Sequence, residues 1–159
     1  MIWIGLVKAF NGCSGSDGLG LPLAFMQKLT FPVYKDPNGI LTVFEGPVGS
    51  AKVPFPIART FTVLANKGDI RGEHAHYQCT QLLVCLSGGI LVSCSDGTKT
   101  EKVLLESSGE GILIPPLTWA IQEYQKDNSV MMVLCDRVYE PEDYIRDHDT
   151  FLHLKSRKA

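Results

Sequence analysis

The 159-residue chain has no run of about 18 apolar residues, the length that marks a membrane-spanning helix, so no such span is expected. It also has no excess of charge of one sign. Lys plus Arg number 15 against 17 Asp plus Glu, a net charge of −2. That balance argues against a basic nucleic-acid surface. An anionic substrate stays compatible, because a few local arginines bind phosphate without an overall basic charge. The apolar start, Met1 to Phe10, is short and carries no positive charge ahead of it, so a secretory signal is not expected. A disulfide framework is missing too. The five cysteines, Cys13, Cys79, Cys85, Cys94 and Cys135, are odd in number and form no CxxC pair. Cys85, Cys94 and Cys135 lie in apolar runs and read as small core residues. Free thiols fit a reducing cytosol, so a cytoplasmic location is expected. There is no internal repeat and no sign of a second globular domain.

What is present is enough apolar material for one core: 45% of the residues are hydrophobic. Residues 1–27 differ from the rest. Asn11-Gly12-Cys13-Ser14-Gly15-Ser16-Asp17-Gly18 is linker-like, so 1–27 reads as an extension of unassigned function and 28–159 as the folded domain. Beyond Leu29 short β-rich runs follow one another. They cover Leu41 to Glu45, Ile57 to Leu64, Gly72 to Tyr77, Gln81 to Leu86, Ile90 to Cys94, Lys102 to Leu105, Ile112 to Pro115, Trp119 to Tyr124 and Val130 to Cys135. Turn signals such as Pro37-Asn38-Gly39 and Asp96-Gly97 separate them. This rhythm predicts an all-β antiparallel sandwich or barrel such as a jelly roll. A short C-terminal helix is expected over 141–147, where Pro141 suits a first turn and Glu142 and Asp143 suit the positive end of the dipole.

His74-Ala75-His76 carries the chemistry. On a strand, residues two apart face the same side, so both imidazoles enter one cavity. Such a pair either holds a metal or moves protons. From Gly72 onward, His74, His76, Gln81 and Gly88 follow the spacing of the first cupin motif, and Gly109 with Pro115 resembles the start of the second. The resemblance implies a cupin, a small jelly-roll β-barrel with a ligand cavity at its mouth. Metal-binding cupins place a Glu ligand where this chain has Gln81, and a third His near Ala120. No His occurs between His76 and His148. Two imidazoles and a neutral amide are a poor set for Zn, Fe or Mn. A metal-free cavity with histidine as acid and base is therefore expected.

A narrower family is also recognisable. Arg71-Gly72-Glu73-His74-Ala75-His76, Gln81-Leu82-Leu83-Val84-Cys85-Leu86-Ser87-Gly88, Ile114-Pro115-Pro116-Leu117-Thr118-Trp119 and Glu142-Asp143-Tyr144-Ile145-Arg146-Asp147-His148-Asp149-Thr150-Phe151-Leu152 together resemble the sugar-nucleotide 3,4-ketoisomerases that act on dTDP-4-keto-6-deoxyglucose. The resemblance runs from about Leu29 to Leu152. It implies removal of the C3 proton, an enediol(ate), and delivery of a proton to C4 with no redox cofactor. It also implies a homodimer that feeds amino-sugar synthesis.

By resemblance His74 and His76 are the catalytic pair, with His74 favoured as base at C3 and His76 handling oxygen protons; spacing alone does not order them. Arg59 and Arg71 match basic positions suited to the diphosphate, and Gln81 is a further substrate-binding candidate. Strict alternation sets Arg71 on the face opposite the imidazoles, unless Gly72 permits a bulge. Trp119 lines the sugar, stacks on the base or is simply a core tryptophan. One segment departs from the pattern: where many members have Arg-Val-Tyr-Tyr, this chain has Arg59-Thr60-Phe61-Thr62 and lacks an aromatic hydroxyl there. Two other readings stand beside the isomerase. One is a dTDP-4-keto-sugar 3,5-epimerase, which also strips protons beside a C4 ketone; the other is a non-catalytic sugar-binding cupin.

Overall fold

The computed structural model describes residues 25–47 and 53–157. Along the chain run β1 (Gln27–Thr30), β2 (Val33–Asp36), β3 (Gly39–Thr42), β4 (Arg59–Ala65), β5 (Ile70–His76) and β6 (Gln81–Ser87). Then follow β7 (Ile90–Ser95), β8 (Thr100–Leu105), β9 (Glu110–Ile114), β10 (Trp119–Tyr124), β11 (Ser129–Cys135), β12 (Tyr144–Ile145) and the helix α1 (His148–Ser156). One sheet has the order β1-β9-β6-β11-β4, a second β12-β5-β10-β7-β8, and β2-β3 is a separate hairpin. Every pairing is antiparallel. This is the expected cupin jelly roll with one short C-terminal helix.

Side-chain alternation explains how the two sheets close. Leu83 and Cys85 of β6, Met131 and Val133 of β11 and Ile112 of β9 point inward against Val92 and Cys94 of β7, Leu105 and Tyr124. The in-between residues Leu82, Val84 and Leu134 point outward, yet they are buried under Phe31, Val53 and Phe55. Both faces of β6 are thus covered, which is why Leu82-Leu83-Val84-Cys85 reads as an unbroken apolar run. On the second sheet Ala75, Trp119 and Ile145 face outward beneath Phe151 of α1.

Residues 1–24 of the expected extension, Cys13 among them, lie outside the described residues. Met26, counted with the extension, is buried in the core, and Gln27 opens β1. The C-terminal helix does not span 141–147. Pro141–Asp143 form one 3-10 turn, Tyr144–Ile145 pair with β5, and α1 starts at His148. Asp147 is the stronger start signal, because its carboxylate accepts from the Thr150 backbone N–H at 2.7 Å and hydroxyl at 2.6 Å.

The register of β5 against β10 shifts between Ala120 and Ile121, so that Ala120 lies opposite His74 while Gln122 lies opposite Arg71. Gly72 and Glu73 make the shift with φ of 87° and 54°. Ala120 and Gln122 share a face, so Arg71, His74 and His76 all face inward: the bulge overrides strict alternation. A Cβ on Gly72 would stand 2.6 Å from the Ala120 carbonyl oxygen. Gly72→Ala is expected to lower the unfolding free energy by about 1–3 kcal/mol, read from urea titration. Parental stability in that variant would show that the bulge does not require glycine.

Candidate active site

His74 and His76 sit at the end of β5 with ring centroids 5.0 Å apart and planes 81° to each other. His74 is partly buried and His76 is buried. Each ring is oriented through Nδ1. His74 Nδ1 lies 2.8 Å from the Gly72 carbonyl oxygen, which only accepts, so this nitrogen carries the proton. His76 Nδ1 lies 3.0 Å from Asp143 Oδ2. Asp143 is itself held by the backbone N–H groups of Gln78 at 2.8 Å and Cys79 at 3.2 Å. A carboxylate that accepts all of these makes His76 Nδ1 a donor as well. Both rings therefore present an unprotonated Nε2. His76 Nε2 is buried without a partner among the described residues.

Burial keeps both rings neutral. Desolvation pulls the His74 pKa below its ordinary value, with the bond to Gly72 opposing and the Arg146 charge adding to the fall. His76 falls from 6.5 to about 4, first through desolvation, then through His74, with the Asp143 bond only partly opposing.

Around the pair stand residues from four other strands. Tyr144 of β12 lies opposite His76 in register, and its ring centroid is 4.3 Å from His76 and 5.0 Å from His74. Arg59 lies opposite Cys135 in register. Its guanidinium donates to Cys135 Sγ at 3.4 Å, passes 5.3 Å from the Phe61 ring and 5.5 Å from that of Tyr139, and interacts with Tyr144. Gln81 is buried and donates to the same sulfur at 3.7 Å. Bonds from Cys79, Arg59 and Gln81 hold the Cys135 thiol below the usual range, whereas its partner Cys79, hydrogen-bonded to Cys135 and desolvated, is pushed up.

Of the sequence candidates, the structure brings His74, His76, Arg59 and Gln81 into one cluster, Arg59 acting on His76 and meeting Gln81 at the Cys135 sulfur. Arg71 is on the same inner face but farther along β5, exposed and beside Tyr124. Trp119 is not brought there. It points outward, 4.8 Å from the His148 ring and 5.6 Å from Phe151, and packs under α1 beside a cavity of about 490 Å³ lined also by Glu73 and Ser93. A core tryptophan is the reading its position supports. Its neighbour Ala120 faces His74, at the position where a metal-binding cupin would carry its third imidazole.

Nothing in the sequence alone marks Asp143 or Tyr144 as site residues. They stand 67 residues and more beyond the imidazoles and meet them only through the β12–β5 pairing. His76, Cys79 and Asp143 do bring potential ligand atoms within 4.8 Å of one another. Asp143 already accepts two backbone N–H bonds and the imidazole, and Cys79 holds its proton. As a donor set, the trio suits support of an imidazole better than coordination of an ion.

Two oriented, neutral imidazoles beside a guanidinium form a cluster whose chemistry suits proton transfer. The FdtA family model (WxcM-like, C-terminal) matches residues 25–156. The TDP-4-oxo-6-deoxy-alpha-D-glucose-3,4-oxoisomerase of Aneurinibacillus thermoaerophilus is 34% identical over 124 residues, covering 77% of this chain and 87% of that protein. The sugar 3,4-ketoisomerase QdtA of Thermoanaerobacterium thermosaccharolyticum, solved with TDP, superposes with a TM-score of 0.79 at 27% identity, covering 86% of this chain and 98% of that one. A His-to-Asn mutant of QdtA, solved with TDP-4-keto-6-deoxyglucose, gives 0.80 at 26% identity over 86% and 97%. The chain belongs to the FdtA family of sugar-nucleotide 3,4-ketoisomerases.

The neutral imidazoles carry a consequence for stability. Because the unfolded chain takes up the His76 proton near 6.5 and the folded chain only near 4, the unfolded state binds more protons between these values. Unfolding free energy is expected to hold above about pH 6.5 and to fall as pH drops toward 4. His76→Asn should flatten part of that slope in denaturant titrations across the range; an unchanged slope would place the titration elsewhere.

Proposed function

We propose that this protein converts TDP-4-keto-6-deoxyglucose to a TDP-3-keto-6-deoxyhexose, with His74 and His76 as the proton-transferring pair. One observation carries this reading: both imidazoles are anchored through Nδ1, which leaves each Nε2 unprotonated, and the two rings lie 5.0 Å apart on one face of the sheet. The C3 hydrogen is acidified by the C4 ketone. Its removal leaves an enediolate, and protonation at C4 completes the shift of the ketone to C3. His74 is the base at C3 and His76 the partner that handles the oxygen protons. Arg59 and Gln81 contact the sugar end of the substrate, and Arg71 lies along the inner face for its diphosphate. The reaction is a tautomerisation and needs neither a redox cofactor nor a metal.

A homodimer in the cytoplasm is part of the proposal. The β2–β3 hairpin exposes Tyr34, Ile40 and Leu41, which supports coverage by a second copy. Sedimentation should show a dimer; a monomer at micromolar concentration would remove this part. Among the described residues no helix is long and apolar enough to cross a membrane.

Incubation with TDP-4-keto-6-deoxyglucose in D2O tests the reaction by NMR. A ketone at C3 is expected, with C4 carrying the hydrogen taken from C3 except where the imidazole exchanged it for solvent deuterium. A ketone retained at C4, with deuterium at C3 and C5, would instead indicate a 3,5-epimerase, and tight binding without turnover a sugar-binding cupin. His74→Asn and His76→Asn should each lower kcat by about 10²–10⁴-fold while the fold survives. Near-normal rates in both would overturn the pair's assignment, and loss of turnover in EDTA would count against metal-free chemistry.

A further inference from the structure

The site as described holds two bases and no acid on the imidazoles. Each Nδ1 proton is committed, His74's to the Gly72 carbonyl and His76's to Asp143, so each Nε2 starts as an acceptor. The ketone-to-ketone shift needs more than that. While one base takes the C3 hydrogen, the C4 carbonyl oxygen must gain a proton, and O3 must later lose one. Strand β4 offers no donor hydroxyl on the inner face, since Phe61 stands there.

We propose that the Tyr144 hydroxyl is the acid that protonates the C4 oxygen, and that Tyr144 and His76 together relay the oxygen protons. Tyr144 is partly buried, its ring lies against both imidazoles, and its phenol interacts with the Arg59 guanidinium. The Arg146 guanidinium covers the ring face at 4.3 Å. A phenol both gives and takes a proton, which the relay demands. The step balances without a further reactant. His74 Nε2 takes the C3 hydrogen as the Tyr144 O–H gives its proton to O4. His76 Nε2 then takes the O3 hydrogen, the His74 proton goes to C4, and the His76 proton returns to the Tyr144 oxygen. Every group ends as it began, and Arg59 is the counter-charge to the phenolate in between.

The inference rests on the ketoisomerase reading, and the experiment separates the two. Parent protein, Tyr144→Phe and a variant with a fluorinated, more acidic tyrosine at 144 are assayed with TDP-4-keto-6-deoxyglucose across pH. TDP affinity is measured on each by calorimetry. Tyr144→Phe keeps the ring and its contacts, so it should bind TDP as the parent does and lose about 10²-fold or more in kcat. The fluorinated variant should fold and turn over, with the alkaline limb of kcat moved to lower pH. A Tyr144→Phe kcat within about twofold of the parent, or an unmoved alkaline limb in the fluorinated variant, overturns the role of Tyr144. An inactive parent protein overturns the ketoisomerase reading itself.

Discussion

The bond between Asp143 and His76 is the contact on which the site depends. It joins a residue of the C-terminal segment to the strand that carries both imidazoles, across 67 positions of sequence. A buried carboxylate is costly unless its oxygens are filled. Here the backbone N–H groups of Gln78 and Cys79 fill them, and they can do so only because the chain turns directly after β5. The carboxylate in turn fixes the His76 tautomer and so decides that Nε2 is a base. The same segment pairs Tyr144 with His76 and Ile145 with Ala75. One polar contact thus sets the orientation of a base and the place of a phenol.

The bulge at Gly72 solves the other half of the geometry. A regular strand would turn Arg71 away from His74 and His76. The two left-handed residues Gly72 and Glu73 bring all three to one face, and the Gly72 carbonyl is released to anchor His74. Space as well as φ demands glycine there, since Gln122 and Ala120 crowd the position of a Cβ. The strand is therefore irregular just where the chemistry needs it, and regular on either side.

These two devices show what was and was not readable beforehand. The fold was legible, because alternation and turn residues repeat along the chain and each run needs only its own local pattern. The His74–His76 parity was legible for the same reason. Gln81 and the missing later imidazole were legible as departures from a motif. Asp143, Tyr144 and the Cys79–Cys135 contact were not, since each depends on which distant strands become neighbours. Trp119 shows the limit of a motif: it is one residue from the inward-facing Ala120, and that single step carries it to the opposite side of the sheet. Pro141, Glu142 and Asp143 look like a first helical turn, but the Asp143 carboxylate and the β12 pairing claim that stretch, and the Asp147–Thr150 cap starts the helix later.

Burial explains why a pair of imidazoles suits this chemistry. Two charged imidazoles at rest would repel each other across 5.0 Å, and Arg146 would add to the conflict at His74 and Arg59 at His76. Desolvation removes that conflict by keeping both rings neutral until the substrate arrives. Once a proton moves from carbon, the balance changes: the imidazolium sits beside a developing enediolate, and Asp143 lies behind the ring on the oxygen side. The low dielectric that weakened each base in the empty cavity then strengthens the attraction between the charges made in the reaction. The pair is held as weak bases in the free protein and is stabilised as acids only while the substrate carries the opposite charge.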